Sequence, residues 1–84
     1  MIKENIAYHK NGNLKLHYPS LNGFYHGIQK WYYPNGQLGE QYIQIIGFRE
    51  GFNHAWNNTG ERRIIKRYKK DLINGPIIKF RYGN

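Results

Sequence analysis

Tyr32-Tyr33-Pro34-Asn35-Gly36-Gln37-Leu38 is an aromatic run broken by a turn signal, and the chain writes it more than once. One step of 24 residues earlier stands Tyr8-His9-Lys10-Asn11-Gly12-Asn13-Leu14, and one step later Trp56-Asn57-Asn58-Thr59-Gly60-Glu61-Arg62. The same step joins Tyr8, Tyr32, Trp56 and Phe80, and joins Gly12, Gly36 and Gly60. It also joins Gly23 and Gly47, with Asp71 next, and Gly27, Gly51 and Gly75. A period of roughly 20 to 50 residues marks small units that each bury their surface against a neighbour. Here each unit reads as a hairpin. Gln29 to Tyr33 and Gln37 to Ile46 are strand-like, and the Asn-Gly pair between them favours a type I′ turn, whose two central residues both need φ > 0.

The segments 23–27, 47–51 and 71–75 then link one hairpin to the next. The expected fold is all-β, an elongated antiparallel meander of tandem β-hairpins with about seven strands and no helix. It forms one domain over 1–84, in approximate units 6–29, 30–53 and 54–77 with a partial 78–84. Residues one period apart sit two strands apart, roughly 9 to 10 Å. Tyr8, Tyr32, Trp56 and Phe80 therefore form a row on one face, with Leu14 and Leu38 filling the gaps, and the row is expected to be core. Trp31 has Ala7 and Ala55 as its equivalents, so its face is expected to be the more open one, offering Trp31 and Tyr33 for contact.

Composition supports a thin sheet. Hydrophobic residues are 39% of the chain, aromatic residues 17%, and mean hydropathy is −0.84, at a length where a single core is only marginally sufficient. There is no cysteine, which excludes disulfides and thiolate-held zinc and permits a reducing compartment. Met1 to Lys10 lacks the apolar run of a signal peptide, and no stretch approaches the roughly 18 apolar residues of a membrane span. A cytoplasmic location is expected.

The formal net charge is +8, from 13 basic against 5 acidic residues, and such a bias concerns partners rather than fold. Six of the nine residues from 62 to 70 are basic: Arg62, Arg63, Lys66, Arg67, Lys69 and Lys70. Strand alternation spreads them over both faces. A lysine-rich strand also deters edge-to-edge aggregation, so a solvated face competes with an anion-binding patch as the explanation. With Tyr68 and Tyr82 as exposed aromatics, the patch would suit nucleic acid, an anionic bilayer or an acidic protein.

Catalysis has little to stand on. Ser20, Thr59 and Asp71 are the sole serine, threonine and aspartate, and no histidine or glutamate falls into a catalytic spacing. His26 and Glu50 resemble a metal pair, yet they occupy equivalent positions in successive units, roughly 9 to 10 Å apart and beyond a shared ligand sphere. The Gly-x-x-x-Gly segments lack the ending of a phosphate loop and read as turns. Neither enzyme activity, nor a cofactor, nor a metal is expected.

The run Tyr32 to Leu38, a tyrosine-containing strand and then Gly-x-x-x-Gly resemble the MORN-type repeat in its bacterial variant, as do Tyr8 to Leu14. Trp56 to Arg62 is a degenerate copy, with Arg62 in place of Leu14 and Leu38 and Lys66 in place of Tyr18 and Tyr42. The resemblance covers nearly the whole chain. It implies a scaffold for protein contacts or self-association, with acidic phospholipid contact in eukaryotic relatives and an antitoxin label on bacterial ones. The functional expectation is a protein-interaction scaffold that binds, and in one version inhibits, an acidic or nucleic-acid-bound partner such as a toxin or nuclease. A homodimer is a further expectation, and direct binding of nucleic acid or anionic phospholipid through the third hairpin is the alternative.

Overall fold

Two kinds of reversal divide the chain, and both carry the backbone into the left-handed region, at a lone glycine in one kind and at two successive residues in the other. The computed structural model describes residues 1–81 and contains no helix among them. Its strands are β1 (Ile2–Tyr8), β2 (Leu14–Leu21), β3 (Phe24–Tyr25), β4 (Gly27–Tyr32), β5 (Leu38–Ile45), β6 (Phe48–Trp56), β7 (Arg62–Lys69), β8 (Leu72–Ile73) and β9 (Ile78–Lys79). All belong to one antiparallel sheet ordered β1-β2-β4-β5-β6-β7-β8, with β3 also on β2 and β9 also on β7. Because β3 and β4 share the partner β2, and β8 and β9 share β7, each pair is one interrupted strand. The result is the meander of tandem hairpins that the period implies.

The turn assignment needs correction. Gly12, Gly36 and Gly60 have φ near +92°, but Asn11, Asn35 and Thr59 are not among the residues with positive φ. In the first loop the Gly12 amide donates to the His9 carbonyl at 2.9 Å and the His9 amide to the Asn13 carbonyl at 2.8 Å. This is a three-residue loop whose glycine forms a bulge, not a two-residue type I′ turn. The paired left-handed residues lie at the other end of each unit: Asn22-Gly23, Ile46-Gly47 and Lys70-Asp71, with φ of 50°/88°, 46°/86° and 48°/71°. Each joins strands directly, as in Leu21↔Phe24, Ile45↔Phe48 and Lys69↔Leu72.

The molecule measures 47 × 38 × 11 Å, one sheet thick. Its accessible surface is 6011 Å², against about 5,300 Å² for a compact protein of this mass. Register assigns the faces. One, the tyrosine face, carries the pairs Asn5↔Tyr18, Leu16↔Trp31, Gln29↔Tyr42 and Gly51↔Tyr68. The other, the isoleucine face, carries Ile6↔His17, Ile28↔Ile43, Ile45↔Phe48 and Phe52↔Arg67.

Apart from Pro19, opposite Glu4 on the isoleucine face, the buried side chains lie on the tyrosine face. Gln29 and Asn53 are 0% and 2% exposed, and among the described residues Tyr68, at 6%, is the sole buried hydrophobic side chain. The aromatic row is not the core. Tyr8 is 65% exposed and Phe80 38%, while Trp56 stacks on His54 on the isoleucine face, at 5.9 Å between ring centroids. The expectation failed because a second layer, which would cover that row, is absent from the chain's own fold. Nor is Trp31 on the more open side: its ring lies so close over Gly39 that a Cβ there would fall 2.3 Å from two ring atoms, and Tyr33 meets it edge-on at 4.7 Å.

Side chains lace successive units together at the same period. Asn5, Gln29 and Asn53, each 24 apart, donate amide hydrogens to backbone carbonyls: Asn5 to Tyr18 at 2.7 Å, Gln29 to Pro19 at 3.1 Å and Asn53 to Gln41 at 3.5 Å. Asn11 donates to the Pro34 carbonyl at 2.8 Å, and its equivalent Asn35 to that of Asn58 at 2.7 Å. The bonds from Asn5, Gln29 and Asn53 satisfy carbonyls that are buried or half-buried, and those from Asn11 and Asn35 tie neighbouring loops together at the surface.

Candidate interaction surfaces

The acidic residues are all engaged inside the sheet. Glu4 pairs with His17 at 2.8 Å, and Glu40 accepts from Asn53 at 3.2 Å. Glu61 accepts from Asn57 and from the Thr59 hydroxyl, both at 3.1 Å. Glu50 accepts the Lys70 backbone N–H at 3.1 Å and Asp71 accepts that of Arg49 at 3.1 Å. The single ion pair among the described residues is His17–Glu4. Among the described residues no lysine or arginine has a carboxylate partner, so their positive charge is not neutralised within the sheet.

His26 and Glu50, the expected non-metal pair, have one shared task. His26 Nδ1 accepts the Ile46 N–H at 3.1 Å just as Glu50 accepts that of Lys70. Each braces the type I′ turn of the next unit. Among the described residues no three histidine, aspartate or glutamate side chains gather in a way that could hold a metal ion.

The third hairpin divides its cations between faces, as alternation requires. On the isoleucine face Arg62 lies over the Trp56 ring at 5.6 Å and Arg67 over the Phe52 ring at 5.8 Å, with Lys69 beside Leu72. On the tyrosine face Lys66 sits 5.8 Å from the Tyr68 ring. Arg63 is exposed at the bulge opposite Ala55, and Lys70 occupies the turn. Trp31 and Tyr33 belong to the tyrosine face, so the sheet separates them from Arg62, Arg67 and Lys69.

Tyr68 does not serve as the exposed aromatic the sequence suggested. It is buried beneath Arg49, whose guanidinium lies 5.2 Å from the Tyr68 ring and 5.5 Å from that of Tyr42, and donates to the Tyr68 hydroxyl at 3.3 Å. Tyr82 lies outside the described residues. Arg49 escaped sequence reading because it stands alone in a connector, although Tyr18, Tyr42 and the nearby Tyr68 hint that a tyrosine cluster would need a cation.

Burial, with Tyr18 and Glu40 nearby, pushes the Tyr42 phenol up to about 12, and burial followed by Glu40 also raises Tyr18. Both stay protonated at neutral pH. Burial, then the neighbouring Arg62 charge, lowers His54, which keeps its imidazole neutral on the isoleucine face. The two faces therefore differ in chemistry: neutral phenols and amides laced to the backbone on one, exposed aliphatics with unpaired arginines on the other.

No helix among the described residues is long and apolar enough to cross a membrane. Comparison with known proteins finds no matching family model, no matching curated protein and no matching solved structure.

Proposed function

We propose that this chain is a non-enzymatic interaction scaffold of the MORN-like kind, which binds an acidic or nucleic-acid-bound partner protein through the cations of its third hairpin. Inhibition of a toxin or nuclease is the concrete version. The observation that carries the reading is the charge arrangement: the carboxylates are occupied by internal hydrogen bonds, while no lysine or arginine among the described residues is paired with one. Unpaired cations accelerate encounter with an acidic surface and set which surfaces are rejected.

Phosphate satisfies the same cations, which keeps nucleic acid or anionic phospholipid as the alternative. Burial of Tyr68 weighs against base stacking at this hairpin, since a stacking platform must offer an open ring face. The deciding experiment measures affinity for random DNA, RNA and anionic vesicles across a salt series. Weak binding that falls steeply with salt, beside a tight protein complex weakened by Arg62→Ala with Arg67→Ala, fits the scaffold. Nanomolar affinity for a polyanion at physiological salt overturns it.

A further inference from the structure

Pro76 interrupts the sheet where the earlier units continue it. One period earlier the same position is Phe52, inside β6, and two periods earlier Ile28, inside β4. Proline has no amide hydrogen to give to a neighbouring strand, and the residues 74–77 that contain it separate β8 from β9 along β7. A notch of about 190 Å³ opens there, lined chiefly by Phe52, Ile65, Arg67, Gly75, Pro76 and Ile78. Register sets it on the isoleucine face: His54, Ile65 and Ile78 form one cross-strand row, and Phe52 with Arg67 the next. Phe52 and Ile78 are 54% and 48% exposed. The notch is apolar, and the cations stand beside it. Arg67 lies over the Phe52 ring at 5.8 Å, and further along the same two strands Arg62 lies over the Trp56 ring at 5.6 Å.

We infer that the notch receives one apolar side chain from an extended acidic segment of a partner protein, whose flanking carboxylates meet Arg67 and Arg62. The size of the notch argues for a side chain: small-molecule pockets run from roughly 300 Å³ upward. Charge complementarity argues for the carboxylates, since neither arginine has one within this chain. Stacking on a ring holds each guanidinium in place and leaves its N–H groups free to grip a planar acid. Spacing argues for an extended segment. Phe52 and Trp56, which carry the two guanidiniums, stand four residues apart on β6, about 13 Å at the rise of a strand. An extended chain laid along β7 covers that span with acids at its first and fifth positions, and its third side chain, on the same face, comes to the row of Ile65 and Ile78. The inference rests on the proposed binding of an acidic protein partner and specifies how that partner is held.

Calorimetric titration of the full chain at physiological salt tests it, with a capped Glu-Thr-Leu-Thr-Glu peptide as probe and circular dichroism confirming that each variant is folded. Serine in place of the peptide's leucine, or Ile78→Asp in the protein, is expected to weaken binding by about fivefold or more, because each removes the apolar contact. Arg67→Ala is expected to weaken it by about threefold, the scale of an exposed ion pair. Lys3→Ala removes a charge at the far edge of the sheet and should change affinity by less than about twofold. Binding that needs Arg62 and Arg67 but ignores both the leucine and Ile78 overturns the notch and leaves the acidic-partner reading standing. An absence of binding up to about 1 mM peptide overturns the inference as well, while the acidic-partner reading is judged separately by its salt series. Tighter binding of oligothymidylate than of the peptide, lost in Ile78→Asp, would assign the notch to nucleic acid instead.

Discussion

Both faces of the sheet carry aromatic side chains and hold them in different ways. On the tyrosine face Trp31 lies against Gly39 and Tyr33, Arg49 is sandwiched between Tyr42 and Tyr68, and the amides of Asn5, Gln29 and Asn53 bond to backbone carbonyls. On the isoleucine face Phe52 and Tyr8 stand more than half in solvent and Ile28 nearly half. In a fold one layer thick, a side chain is buried only by lying along its own sheet. Glycines beneath rings and amides that reach neighbouring carbonyls are therefore worth more to this protein than hydrophobicity alone.

The comparison breaks most readily at Gly39. A Cβ there would collide with the Trp31 ring at 2.3 Å and approach Tyr33 at 3.1 Å, so Gly39→Val is expected to lose about 3 kcal/mol in urea unfolding, at the upper end for overpacking. A change under about 0.5 kcal/mol, the scale of a neutral surface substitution, would mean that the ring moves aside freely. Gln29→Leu keeps volume and removes the donor to the Pro19 and Gly27 carbonyls; roughly 1 to 3 kcal/mol should disappear, since those acceptors lose a partner inside the sheet. An equal loss from Ile28→Gln on the other face would erase the distinction.

The turns sharpen the comparison because they serve both faces. Gly36 has φ of +92° and nothing closer than 4.0 Å to a would-be Cβ, so Gly36→Val isolates backbone strain and should cost about 1 to 2 kcal/mol. Ile46 is a β-branched residue at φ of +46°, in the turn position where asparagine is preferred. Ile46→Asn is expected to raise stability by about 0.5 to 1 kcal/mol, read as a higher urea midpoint at unchanged slope.

Much of this fold is legible in the sequence, because a turn glycine and a strand aromatic recurring at one period leave few arrangements open. Gly12, Gly36 and Gly60 do mark reversals. Their turn class was misread because an Asn-Gly pair also suits a three-residue loop in which glycine alone is left-handed, and only hydrogen-bond geometry separates the two. The true type I′ sites escaped notice for an instructive reason: Ile46 and Lys70 are poor residues for positive φ, held there by His26 and Glu50 from the preceding unit.

Which face is open was not legible. A period of two places Trp31 and Trp56 on opposite sides but carries no sign, and hydrophobic reasoning chose the row with more aromatics. The amide series Asn5, Gln29 and Asn53 was visible at the same spacing as the glycines. Reading polar residues for periodicity, as well as apolar ones, would have identified the laced face. The basic cluster was plain in the sequence, whereas the engagement of Glu40, Glu50 and Asp71 depends on contacts between hairpins that no local pattern encodes.

The claim that the tyrosine face holds the fold is tested most directly by urea unfolding of Trp31→Ala beside Trp56→Ala, at protein concentrations low enough that self-association does not contribute. Removing Trp31 strips the ring from Gly39 and Tyr33, and a loss of about 3 kcal/mol is expected, the lower end for a large aromatic because the site is half-buried. Trp56→Ala is expected to lose at least about 1 kcal/mol less, a gap large enough to resolve by linear extrapolation. A Trp56→Ala variant as destabilised as Trp31→Ala, or more so, would contradict the account.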